Sequence, residues 1–131
     1  MATYKLVNGL TLDTGVLVAL ERRSERALAL VEVARKQGRT ITVPASVVVE
    51  WWRGQRGPVA RLLDAFDVEP LEVELAHVAG LALAKAGRGP SATDAVVMAS
   101  AAQRGDVVLT GDMDDLAKLQ KVFPAVRLLR V

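Results

Sequence analysis

The sequence predicts an α/β fold: a three-layer sandwich in which helices flank a central, mostly parallel sheet of about five strands. Three observations predict it. Short apolar runs bounded by Gly, Pro or Asp alternate along the chain with longer segments of helical period. Hydrophobic residues make up 51% of the chain but aromatic ones only 4%, so the core must be built from Ala, Val and Leu. The 131 residues hold no internal repeat, linker or low-complexity tract, and they suffice for one domain, 1–131, with a core of its own.

GLTLDT (9–14) reads as a short buried strand that ends at Asp13. A helix is expected from Gly15 to about Gln37, interrupted or bent near Arg22–Ser24 and stopped by Gly38. TITVP (40–44) is a second strand closed by Pro44, and Ser46 can cap a helix through VVVEWWRG. GPVARLLDAF (57–66) reads as another helix, with Pro58 in its first turn where a missing N–H costs nothing. DVEPLE (67–72) suits an edge strand, because Pro70 cannot donate to a ladder. VELAHVAGLALAKAG (73–87) is a helix ending at Gly87, and GRGPS (87–91) a loop. TDAVVMASAAQRG (93–105) is a helix stopped by Gly105. DVVLTG (106–111) is the clearest buried strand, DMDDLAKLQKVF (112–123) an amphipathic helix and VRLLRV (126–131) a terminal strand.

Composition excludes several chemistries. With no cysteine there are no thiolate nucleophiles, no Cys zinc sites and no disulfides. His77 is the one histidine, which rules out multi-histidine metal sites, and on an Ala/Leu-rich helix it reads as a half-buried or surface imidazole. Any catalysis must rest on carboxylates, holding a hard divalent cation. The net charge of +2 is a mild basic excess that nudges toward an anionic partner and decides nothing. No apolar run nears the roughly 18–20 residues of a membrane span. Nor does MATYKLVNGLTLD have the basic start and apolar centre of a signal peptide, so a soluble cytoplasmic protein without membrane association is expected.

Four carboxylates stand in apolar company. Asp13 closes LTLD, Glu50 ends SVVVE, Asp94 is set into SATDAVVMAS and Asp112 follows VVLTG. Helix chemistry explains three of them singly. Asp13 and Asp112 can be N-caps, and Ser91 with Asp94 fits a capping box. Glu50 is harder to explain, since it reads as lying within an apolar helix, where an unpaired buried carboxylate costs several kcal/mol. Capping does not exclude function, because ligands of α/β sheets bind beyond the carboxyl ends of the strands, where these helices begin. Carboxylates converging there would raise one another's pKa, and Mg²⁺ removes that penalty with the oxygen ligands it prefers.

TLDTGVLVAL, PASVVVEWWRG, SATDAVVMASA and VVLTGDMDDL, in that order and spacing, resemble the PIN-domain ribonucleases, and more narrowly the VapC-type toxins of prokaryotic toxin–antitoxin pairs. The resemblance covers nearly the whole chain. It implies a metal-dependent endoribonuclease in which Asp13, Glu50, Asp94 and Asp112 form the acidic quartet. Asp115 matches a further acid, and Thr110 the hydroxyl residue that orders the site. By that implication Asp13 and Asp94 are the main ligands of Mg²⁺, for which Mn²⁺ substitutes. Asp112 and Glu50 complete the shell or orient the attacking water, and Asp115 helps with a second ion. The resemblance also implies a homodimer and a cognate antitoxin whose tail occupies the groove. Three features depart from the family. Gly15 stands where Ser is common, leaving Thr14 to supply any hydroxyl; Leu116 replaces a frequent aromatic; and the N-terminus runs longer before its first strand.

Arg22, Arg23, Arg53, Arg56 and Arg88 flank the site segments and can follow an RNA backbone or simply be solvated. Adjacent Trp51 and Trp52 point about 100° apart on a helix, so one is expected in the core and the other at a dimer or antitoxin contact. Two other functions stay open. A haloacid-dehalogenase-type phosphatase also begins with a strand-end Asp, but needs a second acid where Gly15 stands and a GDxxxD run where Asp115 falls one position short. A binding module of the same fold with an idle site is the non-enzymatic reading.

Overall fold

The computed structural model describes residue 6 and residues 8–131. Strands β1 (Leu10–Leu12), β2 (Ile41–Pro44), β3 (Asp67–Glu69), β4 (Val107–Thr110) and β5 (Arg127–Arg130) form one sheet in the order β3-β2-β1-β4-β5. Every pairing is parallel, so the sheet is wholly parallel rather than mostly so. Helices α1 (Thr14–Glu21), α2 (Glu25–Lys36), α3 (Ala45–Trp51), α4 (Val73–Ala86), α5 (Ala92–Arg104) and α6 (Met113–Gln120) flank it, with a 3₁₀ helix at Gly57–Ala65. This is an α/β sandwich, as the alternating pattern predicts. Among the described residues no helix is long and apolar enough to cross a membrane.

Burial follows the sheet order. Every residue of β1 and β2 is buried, while both edges are charged and open: Asp67 and Val68 on β3, Arg127 and Arg130 on β5. Charged edges discourage pairing with another sheet. Helix α5 lies against β1, β2 and β4, and α4 and α6 pack on α5. It buries an unbroken run, Ala95 to Ala101, of mostly small side chains. Small residues there and on α4 (Ala79, Ala82) let the two helices approach closely, which suits a core short of aromatics.

One polar network threads that core. Asp106, just before β4, accepts from Thr11 Oγ1 at 2.8 Å and from Arg104 Nε at 2.9 Å. Arg104 also pairs with Glu69 on β3 and donates to Thr11 and Ser100 at 2.9 and 2.7 Å. Ser100 in turn donates to Glu69 at 2.6 Å. By sequence Glu69 stands among polar or charged neighbours, as residues of a solvated face do. In the fold it is half-buried, and both its side-chain partners, Ser100 and Arg104, lie on α5.

The interruption expected near Arg22–Ser24 is present: Arg23 takes a left-handed conformation (φ +60) and Ser24 caps α2 through the Ala27 N–H at 3.3 Å, so the segment forms two helices. Two local expectations need correction. Ser46 is not a cap: α3 starts directly off β2 with Pro44 at the cap position, and the Ser46 hydroxyl is buried without a hydrogen-bond partner among the described residues. Residues 57–65 form a 3₁₀ rather than an α-helix. None of that segment is fully buried, so little packing enforces the wider turn.

Arg104→Leu strands Asp106 and Glu69 without their cation and should cost about 3 kcal/mol, as when one partner of a buried pair is removed. Urea unfolding measures this, and adding Glu69→Leu should recover part of the loss.

Candidate active site

The strand order reverses between β1 and β4, since the chain moves outward one way through β2 and β3 and the other way through β5. In open α/β sheets the crevice beyond the carboxyl ends at such a switch point is where ligands bind. Asp13 stands there directly after β1, and Gly111-Asp112 directly after β4. Parallel pairing of Leu12 with Leu109 brings the two strand ends side by side, and the Asp13 N–H donates to the Leu109 carbonyl at 3.2 Å.

Asp13 is held from several directions. Oδ1 accepts from the Val16 N–H at 3.0 Å, so Asp13 does cap α1. The Thr110 hydroxyl donates to Oδ2, and the Gly111 N–H reaches the two oxygens at 3.4 and 3.3 Å. Thr110, fully buried, also accepts from the Asp112 N–H at 2.8 Å, so one hydroxyl couples the two acidic segments. Gly15 and Gly111 meet backbone to backbone: a Cβ on Gly15 would lie 3.2 Å from the Gly111 Cα. A side chain at position 15 would fit only if the facing turn gave way slightly.

Asp94 reaches the same region from the first turn of α5. Its capping box forms as predicted, with the Ser91 N–H donating to Oδ2 at 2.9 Å and the Asp94 N–H donating to Ser91 Oγ at 3.0 Å. The capping explanation fails for Asp112, which holds the cap position of α6 but makes no side-chain capping bond. Asp115 lies half-buried in the first turn of α6, close enough to Gly89 that a Cβ there would come within 2.8 Å of its Oδ1. Glu50 departs from expectation. It is exposed near the end of α3 instead of buried within it, because α3 is only seven residues long. Its carboxylate accepts from Thr14 Oγ1 at 2.6 Å, beside Asp13.

Electrostatics ties the aspartates together. Burial pushes the Asp13 carboxyl above its usual range, against the hydrogen bonds of Thr110, Val16 and Gly111, and Asp94 adds repulsion. Burial also raises Asp94, with the Ser91 bonds opposing and Asp115 and Asp112 adding repulsion. No basic side chain pairs with any of these acids, since the ion pairs among the described residues all belong to Arg104. As placed, no three described carboxylates stand close enough together to hold a metal ion. The donor chemistry, hard oxygens with uncompensated charge, nonetheless fits a divalent cation such as Mg²⁺.

A family model described as the PIN domain matches residues 10–122. The chain belongs to the PIN-domain family. PIN domains are generally nucleases, so this one is a nuclease-type hydrolase by family. No curated protein matches the chain. Solved structures do share the PIN fold. A chain from the structure of FitAB bound to an IR36 DNA fragment is 19% identical over 92% of this chain and 94% of its own, with a TM-score of 0.69. One from VapBC2 of Rickettsia felis bound to a DNA fragment from their promoter is 15% identical over 93% and 98%, at 0.71. One from FitAcB of Neisseria gonorrhoeae is 21% identical over 92% and 96%, at 0.67.

The Gly15–Gly111 contact and the Gly111 N–H that steadies Asp13 went unrecognised in the sequence. Their only signal was a glycine after each acidic strand end.

An acid whose pKa is raised by folding contributes stability below its unfolded value and loses it as pH climbs through the raised one. At neutral pH, ionised Asp94 therefore destabilises the fold. Asp94→Asn, which keeps an acceptor for Ser91, should melt at or above the wild-type temperature at pH 7. Thermal scans at descending pH should show that advantage shrinking toward the ordinary value of 3.8.

Proposed function

We propose that this PIN-domain protein is a divalent-cation-dependent endoribonuclease, the toxin of a toxin–antitoxin pair. One observation carries the reading: Asp13, Asp94, Asp112 and Asp115, from three separate segments, interact electrostatically at the switch point of a parallel sheet, with no ion pair to any of them among the described residues. Carboxylates crowded at that cost are suited to a cation.

Asp13 and Asp94 would hold the ion, with Asp112 and Glu50 completing the set or orienting water and Asp115 serving a second ion. Mg²⁺, or Mn²⁺ in its place, supplies Lewis acidity when bound, which activates water and offsets charge on the phosphate. The chain's own residues set the geometry. Thr110 fixes the Asp13 carboxylate, Ser91 fixes that of Asp94, and Thr14 turns Glu50 toward the cluster. Hydrolysis forms a bond from water oxygen to phosphorus and breaks the bond to the 3′ oxygen, leaving a 5′-phosphate and a 3′-hydroxyl. No histidine is required, in keeping with the exposed position of His77.

The likeness to chains of FitAB and VapBC2, which are toxin–antitoxin complexes, supports a cognate antitoxin as partner; inhibition by it, a homodimer and a cytoplasmic setting belong to the same proposal.

Asp94→Asn should abolish Mg²⁺-dependent cleavage of RNA while the protein stays folded. Full activity in that variant, or in EDTA, sinks the mechanism. Calorimetry that finds neither Mg²⁺ nor Mn²⁺ binding would leave the idle binding module. Thr14→Val, which frees Glu50, should lower the cleavage rate by about 10- to 100-fold, the usual penalty for losing a residue that orients a metal-site ligand. Thr14→Ser should restore most of it.

A further inference from the structure

Trp52 is an exposed indole that neither the core nor the proposed hydrolysis uses. Its neighbour Trp51 fills the core position, 3% exposed, with the indole N–H donating to Glu21 at 3.0 Å. Trp52 is 44% exposed, its ring tilted 51° to that of Trp51 with centroids 6.0 Å apart.

The backbone beneath it is firmly held. The Trp52 N–H donates to the Val48 carbonyl at 2.8 Å, and its own carbonyl accepts from the Arg53 guanidinium at 2.8 Å. Gln55 then ties the turn together, accepting from the Arg53 N–H at 2.7 Å and donating to the Trp51 carbonyl at 3.0 Å. The backbone that presents Trp52 is thus held in place rather than frayed.

Its setting indicates what the ring would meet. Glu50, two positions earlier, is bonded to Thr14 beside Asp13, so the turn carrying Trp52 borders the carboxylate cluster. The Glu21–Trp51 bond joins the end of α1 to the end of α3, bringing Arg22 and Arg23 into the same region as Arg53 and Arg56. All four are exposed, and none forms an ion pair. An aromatic face among unpaired guanidiniums at the edge of a phosphodiesterase site suits a polyanion that carries flat, unstacked rings. A base-paired helix would present phosphates but no free base face.

We propose that Trp52 is a stacking platform for an unpaired nucleobase of the RNA substrate, with Arg22, Arg23, Arg53 and Arg56 carrying the adjoining phosphates. This rests on the nuclease reading above and adds a base-binding residue to it.

The test is fluorescence polarisation of a labelled, unpaired oligouridylate titrated with intact protein in EDTA, so that binding is read without cleavage. Base–aromatic stacking contributes about 1–3 kcal/mol per base, so Trp52→Ala should weaken binding roughly 5- to 150-fold. Trp52→Phe should retain most of the affinity, and a fully paired duplex of the same length should bind wild type and Trp52→Ala alike. Equal affinity of wild type and Trp52→Ala for the unpaired RNA overturns the proposal. If Trp52→Ala leaves RNA binding intact but dissociates a dimer in light scattering, the ring belongs to a protein contact and the proposal is equally overturned. A wild type that cleaves RNA but binds it without regard to Trp52 refutes the platform alone, whereas one that neither binds nor cleaves refutes the nuclease reading as well.

Discussion

The structure depends on burying one carboxylate, that of Asp13, between the ends of two parallel strands. Desolvation there is costly, and the fold offsets it with a hydroxyl from Thr110, the Val16 N–H at the start of α1 and the Gly111 N–H beyond β4. The two turns meet backbone to backbone at Gly15 and Gly111, where a side chain on Gly15 would fit only with a small shift of its neighbour. The remaining acids are arranged around this fixed point with decreasing burial, from Asp94 and Asp115 to the exposed Asp112 and Glu50.

The chain handles its acids in two ways. Arg104 pairs with Asp106, just before β4, and with Glu69, the last residue of β3, so those carboxylates meet a cation from the chain itself. Among the described residues no ion pair reaches the acids that follow β1 and β4. The protein is therefore able to pair its acids, and at the switch point leaves them without ion pairs. That contrast is a stronger indication of a site than the mere presence of acidic residues.

Much of this was legible in the sequence because the signals are local. Strand ends at Asp13 and Thr110, the Ser91–Asp94 capping box and the helix stops at Gly38, Gly87 and Gly105 each follow from a few adjacent residues. What could not be read depends on distant partners. Glu50 seemed buried because its neighbours are apolar, yet where α3 ends decides its exposure. Glu69 seemed solvated because nothing nearby announced Arg104, 35 positions away. The site itself was legible in part: the acids and Thr110 could be named, but how far apart their carboxylates lie is a matter of packing, and among the described residues no three come close enough together to hold an ion.

The seam between β1 and β4 joins residues nearly a hundred positions apart. Asp13 and Glu50 come from the first half of the chain, whereas Asp94, Asp112 and Asp115 come from the last third. A nascent polypeptide that has emerged only as far as α4 carries two of these five acids and lacks the strand that seats Asp13. Closing so long a loop comes late in folding. Under the proposed function an incomplete chain would be inert, with hydrolytic capacity arriving only when synthesis and folding are nearly finished.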